Sequence, residues 1–208
     1  HVARFNATDR RIVGYLSAEF LLGPHLGNNV VNLGIEAELR EAVGRLGVVH
    51  FDTSCAPAVR AGFDRGVALL HSFWFSAAIV AFGDVLEADP TCAMAHWGIA
   101  MSWWSNPFGT TRSAQAMKEG LAAVDAAKAL NAGTPRERQY VAAVEQLYRD
   151  PATRDQRTRI LAYESAMEGL AAAHPKDVEA RLFHALALAQ SALPTDKTYG
   201  NQLRAASI

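Results

Sequence analysis

Three side chains in this sequence could bind a transition metal: His71, Cys92 and His96. Imidazole and thiolate are ligands that zinc and copper accept, and a helix would present Cys92 and His96 on one face because they lie one turn apart. No third histidine or carboxylate follows at a useful spacing. We therefore expect no metal, interpret the histidines as ordinary core and cap residues, and keep a metal-binding protein as an alternative.

The common signatures of catalysis are absent from the sequence. It contains no Walker loop, no GxGxxG, no HExxH and no GxSxG, so no phosphate-binding loop and no nucleophile with its base is indicated. The 208 residues carry 20 Lys and Arg against 21 Asp and Glu, and this balance gives no basic face for nucleic acid. We expect a protein that is not an enzyme and needs no cofactor.

The elements that would position such residues change in character near residues 47–50. Before this point the pattern is rich in Gly and Asn, and after it the pattern is Ala-rich and helical. Three elements are predicted in the first part: a strand at 11–17, a short helix or turn at 25–33, and an amphipathic helix at 35–46. The sequence thus predicts two domains, residues 1–48 and residues 49–208.

The first part contains YLSAEFLLGPHLGNNVVNLGI at Tyr15–Ile35, which resembles the N-terminal region of the glycogen and starch phosphorylases. The resemblance covers about residues 9–47. It implies that Glu19 matches a carboxylate beside the substrate and cofactor pocket of that family. The family's cofactor lysine and C-terminal domain are not found in this sequence, so Glu19 is interpreted as a vestigial position. A fragment of an α-glucan phosphorylase is the alternative function.

From residue 57 onward, apolar residues recur as pairs of helices, which is typical of tetratricopeptide repeats. The small, large, small, aromatic and proline positions of one repeat are occupied by Gly66, Leu69, Ala78, Phe82 and Asp89-Pro90. Later repeats are expected to open at Trp97-Gly98, at a capping box over Thr134–Glu137, and near Leu182, with second helices at 112–130 and 154–173. The sequence predicts an all-α solenoid of about three and a half repeats, truncated in the fourth, after a short strand-plus-helix segment.

Four phrases of the second part resemble a bacterial family of tetratricopeptide-repeat proteins of unassigned activity: SCAPAV at 54–59, GVALLHSFWF at 66–75, DPTCAMAHWGIAMSWWSNPF at 89–108, and DKTYGNQLRAA at 196–206. The resemblance covers about residues 48–208 and implies a scaffold that binds a protein or peptide. The whole chain is interpreted as a chimeric or fused fragment. Self-association through the open fourth repeat is an additional expectation.

Tetratricopeptide repeats bind extended peptides along the face formed by their first helices. The Lys and Asn clamp of chaperone-docking members is missing here. The predicted groove consists of Phe63, Val67, Leu70, Ile99, Val141 and Tyr148, with Arg60 and Arg138 at its edge. Such a lining favours an apolar segment over an acidic tail. The alternative interpretation is that several of these side chains pack between helices.

The stretch Val67–Gly83 carries no formal charge and reaches the lower limit for a membrane span, but His71 and Ser72 interrupt it, so no span is expected. Cys55 and Cys92 precede the first helices of neighbouring repeats. A disulfide between them is geometrically feasible and would favour a periplasmic parent protein. The sequence shows no leader, so a cytoplasmic location is the expectation for the chain as it stands, and the compartment is left open.

Overall fold

The computed structural model describes residues 49–109 and 111–208, and this part of the chain consists of helices and turns without a strand. After a 3-10 turn at Pro57–Val59 come eight helices: α1 Arg60–His71, α2 Phe75–Ala88, α3 Ala93–Trp104, α4 Ala114–Ala129, α5 Pro135–Tyr148, α6 Gln156–Ala173, α7 Val178–Gln190 and α8 Gly200–Ala205. The all-α prediction is confirmed for these residues. The predicted elements at 11–17, 25–33 and 35–46 lie outside them, as does Glu19.

The uncharged stretch that raised the question of a membrane span is divided between two helices. Helix α1 ends at His71, where the Ser72 hydroxyl donates to the Ala68 carbonyl at 2.8 Å. Phe73 then adopts the left-handed backbone region at φ 57°, and Trp74 N donates to Leu69 O at 3.0 Å. This turn reverses the chain before α2, and no helix in the described part is long and apolar enough to cross a bilayer.

Each helix packs against the next helix in the chain, and α3 also packs against α1 and α5. Small residues permit the close approach. A β-carbon at Gly66 in α1 would lie 2.6 Å from the ring of Phe82 in α2, and a β-carbon at Gly98 in α3 would overlap the same ring. Phe82 is fully buried. The ring therefore fills the space between two glycines on successive odd-numbered helices.

The helix starts follow local signals in the sequence. Thr134 Oγ1 accepts from Glu137 N at 3.2 Å, and Glu137 Oε2 accepts from Thr134 N at 2.6 Å, so the predicted capping box at the start of α5 is confirmed. Ser113 and Asp155 cap α4 and α6 with their side chains alone, which accept from Ala116 N and Thr158 N. These caps begin α4 and α6 two residues later than the expected starts at 112 and 154.

One group of rings joins the odd-numbered helices. This aromatic cluster consists of Phe51, Phe63, Trp97, Tyr140 and Phe183. Phe51 precedes every described helix, yet its ring centroid lies 5.1–5.5 Å from those of Phe63, Trp97 and Tyr140 on α1, α3 and α5. Trp97 meets Phe183 of α7 edge-on at 5.3 Å. The core is thus completed by a residue from an irregular segment.

Candidate functional site

The segment 51–56 is bound along its backbone by side chains of the helical domain. Three of its N–H groups donate to carboxylates on three different elements: Phe51 N to Asp64 Oδ1 at 3.1 Å, Ser54 N to Glu137 Oε1 at 2.6 Å, and Ala56 N to Asp89 Oδ2 at 2.8 Å. The Ser54 hydroxyl also donates to Glu137 Oε2 at 2.7 Å. Most of these hydrogen bonds are made to the main chain of the segment, so they depend little on which side chains the segment carries.

Arg136, in the first turn of α5, is a positively charged residue that binds the same segment. Its Nη1 donates to the carbonyl of Asp52 at 2.7 Å, and its guanidinium carbon lies 5.0 Å from the Phe51 ring centroid. Arg136 is itself held by Asp177, with Nε 2.6 Å from Oδ2, and the Tyr140 hydroxyl donates to that same oxygen at 2.9 Å. Asp177 therefore fixes the orientation of the Arg136 guanidinium toward the segment.

Two carboxylates near the segment, Asp89 and Asp177, have a lowered pKa. The hydrogen bond from Ala56 N–H, followed by that from the Thr91 hydroxyl, lowers the pKa of Asp89 below its ordinary value. Burial raises the pKa of Asp177, but hydrogen bonds from Arg136 and Ala180 outweigh it and leave the pKa lowered. Charged acceptors form stronger hydrogen bonds than neutral ones. The face is therefore suited to the N–H groups of an extended chain.

A cleft of about 810 Å³ opens to solvent beside the segment. It is bordered by residues 50 and 52–54, by the start of α5, and by the turn at 173–178 between α6 and α7. Its described lining mixes Arg136 and Lys176 with Glu137 and Asp177. The cleft thus offers charged donors and acceptors of both signs beside the segment.

A disulfide fastens the segment at its C-terminal end. Cys55 is bonded to Cys92, the residue that caps the N-terminus of α3, with an S–S distance of 2.04 Å. Cys92 is buried, while Cys55 is half-buried. The pairing that the sequence left undecided is present in the structure.

Comparison with known proteins supports one of the two resemblances. A segment of 40 residues is 58% identical to glycogen phosphorylase from Synechocystis sp. (strain ATCC 27184 / PCC 6803 / Kazusa) and covers 19% of this chain. The chain spans about 5% of the length of that relative. No protein-family profile and no solved structure matches the chain. A short phosphorylase-like segment is therefore shown, and the resemblance to tetratricopeptide-repeat proteins is still a prediction.

The three metal-ligand candidates are not brought together in the described part of the chain. Cys92 is in the disulfide, and His71 Nε2 lies 2.7 Å from Glu179 Oε2 on α7. His96 is half-buried, and burial lowers its pKa. The group that does cluster is Cys55, Asp89 and Cys92, but its two sulfur atoms are bonded to each other.

The eight residues of the predicted groove occupy different environments. Five of them are buried: Phe63, Val67, Leu70, Val141 and Tyr148. Ile99 is half-buried, and Arg60 and Arg138 are exposed. Tyr148 packs against Gly120 and donates to the Ala100 carbonyl at 2.6 Å, which is a contact between helices. Phe63 alone among the eight has a ring contact with segment 51–56, through Phe51.

Sequence reasoning missed the residues that bind the segment, namely Asp64, Asp89, Arg136 and Glu137. From the sequence alone, Arg136 and Glu137 are placed only in a capping box. The signal that points to their binding role is the pair of opposite charges that they bring to the helix N-terminus. A helix N-terminus that offers both an arginine and a carboxylate beside an aromatic core can bind the carbonyl and N–H groups of a passing chain.

Proposed function

We propose that residues 49–208 form a tetratricopeptide-like solenoid whose function is to bind an extended protein segment without catalysis. The helix order supports this proposal, because α1/α2, α3/α4, α5/α6 and α7/α8 are successive pairs and the first helix of the second pair contacts the first helices of the first and third pairs. Gly66 and Phe82 meet as the small and aromatic positions of a repeat would. Stacked pairs of this kind present an elongated face to a partner.

The observation that carries the proposal is the binding of segment 51–56. An irregular segment is held on α1 and α5 by hydrogen bonds between its backbone and their side chains, and one aromatic side chain anchors it among rings of the core. Backbone hydrogen bonds that supply affinity and side-chain pockets that supply specificity are a recurring mode of peptide recognition. In the proposed function this face accepts a partner segment of similar character, with an aromatic residue followed by small polar residues.

A peptide added in trans tests this proposal on the full chain. The variant Phe51→Ala/Cys55→Ser/Cys92→Ser removes the ring anchor and the disulfide of the segment, so that an added peptide can compete with it for the face. The probe is a labelled peptide with the sequence of residues 49–56 carrying Ser for Cys. We expect saturable binding by fluorescence anisotropy and a rise in Tm with peptide concentration, because a ligand that binds only the folded state stabilises it. A peptide with Ala for Phe is expected to bind at least about tenfold more weakly.

Two arginines of α5 provide a matched control. Arg136→Ala removes the donor to the segment, whereas Arg138→Ala removes an exposed arginine that donates to Gly133 O in its own turn. Binding is expected to fall only for Arg136→Ala. Equal binding of the Phe and Ala peptides by a folded variant would overturn the proposal. Phe51→Leu replaces Phe51→Ala if circular dichroism shows that the alanine variant does not fold.

The 40-residue match favours a second candidate, participation in α-glucan phosphorolysis. That activity belongs to a relative of which this chain spans about 5%. The test is release of phosphate from glucose 1-phosphate with glycogen as acceptor, together with the absorbance of pyridoxal phosphate. We expect neither signal, and the presence of both would replace the scaffold proposal.

A further inference from the structure

A second cavity of about 210 Å³ lies where the C-terminal ends of α1 and α3 meet α6 and α7. Its lining is mainly aromatic and aliphatic and includes Phe75, Met101, Tyr163 and Leu186. None of its lining residues belongs to segment 51–56 or to the cleft beside that segment. The cavity is therefore a separate place in the molecule, which the proposed scaffold function does not use.

Two lining residues have polar atoms without a partner among the described residues. They are Trp104 Nε1 at the end of α3 and Gln190 Nε2 at the end of α7, and both atoms are buried. Trp104 is only 2% exposed, and its ring is fixed by the Arg112 guanidinium at 4.6 Å and by an edge contact with Tyr148. Buried polar atoms are nearly always hydrogen-bonded, so two unpartnered donors in one cavity indicate a missing acceptor.

Two other polar side chains of the cavity are already engaged. His71 Nε2 contacts Glu179 Oε2 at 2.7 Å, and the Tyr163 hydroxyl donates to Met101 Sδ at 3.7 Å. The described lining contains no Lys, Arg, Asp or Glu. A carboxylate in this cavity would be desolvated without a counter-charge. The uncharged lining therefore favours an uncharged oxygen as the acceptor.

We propose that this cavity binds a small neutral molecule that combines an aromatic ring with a carbonyl oxygen, which accepts hydrogen bonds from Trp104 Nε1–H and Gln190 Nε2–H. An apolar cavity of about 150 Å³ holds one benzene ring, so 210 Å³ accommodates a ring with a short carbonyl substituent. The surrounding rings supply the apolar contact, and the two donors fix the orientation of the ligand.

A pair of probes of nearly equal shape tests the role of the donors. Acetophenone carries the carbonyl oxygen, ethylbenzene lacks it, and both are titrated into the full chain by isothermal titration calorimetry. We expect acetophenone to bind about tenfold more tightly, because a site built to donate hydrogen bonds disfavours an analogue that cannot accept them. Benzoate, which adds a charge, is expected to bind more weakly than acetophenone.

Substitutions of the lining residues test whether the preference for acetophenone arises in this cavity. Gln190→Leu and Trp104→Phe are each expected to remove most of the preference for acetophenone over ethylbenzene. Trp103→Phe is the matched control, since Trp103 is the neighbouring tryptophan and does not line the cavity. Leu186→Trp is expected to fill the cavity and abolish binding of both probes.

Three results would overturn the proposal. They are equal affinity for the two probes, no binding of either probe at millimolar concentration, and an undiminished preference for acetophenone in a folded Gln190→Leu variant. Equal affinity would show that the cavity is a purely apolar void. Absence of binding would show that the cavity is closed to ligands, and an undiminished preference would show that acetophenone binds elsewhere. Because the peptide test uses a different surface and a different probe, its failure would leave this result unaffected.

Discussion

The face that binds segment 51–56 and the cavity between α3 and α7 meet at Phe183, which packs against Trp97 and also lines the cavity. The two regions differ in how their polar atoms are satisfied. On the face, carboxylates and an arginine are paired with backbone groups of the protein itself. In the cavity, two donors have no partner among the described residues. The comparison indicates that the polar groups of the face already bind a segment of the protein itself, whereas two donors that line the cavity are available to a ligand.

The largest expected effect is at Phe51. Phe51→Ala removes a 2% exposed ring from the aromatic cluster and is expected to cost about 3–5 kcal/mol in the free energy of unfolding. Phe73→Ala is the comparison in the cavity region, because Phe73 is 40% exposed, and it is expected to cost less than about 1 kcal/mol. Urea denaturation followed by circular dichroism measures both. Equal losses would contradict the distinction between the two regions.

The next largest effect is expected from loss of the disulfide, which should lower stability without changing ligand binding in the cavity. The Cys55–Cys92 bond closes a loop over a sequence separation of 37 residues, and Cys55→Ser/Cys92→Ser is expected to cost about 2–4 kcal/mol. Because the bond holds segment 51–56 and not the cavity, the affinity for acetophenone is expected to stay the same. A parallel loss of that affinity would show that the two regions are coupled.

Acid should weaken the face through Asp89. Its pKa in the folded protein lies below the ordinary 3.8, so its contribution is present above that value and is lost as the pH falls through the lower folded pKa. Asp89→Asn is expected to cost about 1–2 kcal/mol at pH 7 and to reduce the loss of stability below pH 4. Asp84→Asn, an exposed carboxylate of α2, is the control. Parallel pH–stability curves for Asp89→Asn and the native chain would contradict this assignment.

The helical part of the fold follows from local signals in the sequence. The capping box at Thr134 decides the start of α5, and the glycine and phenylalanine at positions 66 and 82 predict that α1 and α2 pack closely. The division of the uncharged stretch at Ser72–Trp74 was also foreseeable, because polar residues interrupt it there. Each of these features depends on neighbours in the chain or on one helical period.

The contacts that make the candidate site depend on long sequence separations. Segment 51–56 has no periodic pattern, so nothing in it predicts that Phe51 enters the core or that Ser54 reaches Glu137. The Arg136–Asp177 pair orients the key donor and joins α5 to the start of α7. Such pairings arise only when the helices are stacked. The sequence therefore predicted the helices well and the binding residues poorly.

The smallest expected change in stability concerns Gln190, because its amide donor has no partner among the described residues, unlike the paired groups of the face. Removing Asp89 leaves the N–H of Ala56 without its acceptor, but Gln190→Leu removes a donor that has no partner among the described residues and adds apolar contact of similar size. Replacing an unpartnered buried polar group by an apolar one is nearly neutral, so we expect a change within about 0.5 kcal/mol, in either direction. Thermal unfolding monitored by calorimetry measures it. A loss above about 1 kcal/mol would show that the amide is bonded in the folded protein, and the cavity would then resemble the face.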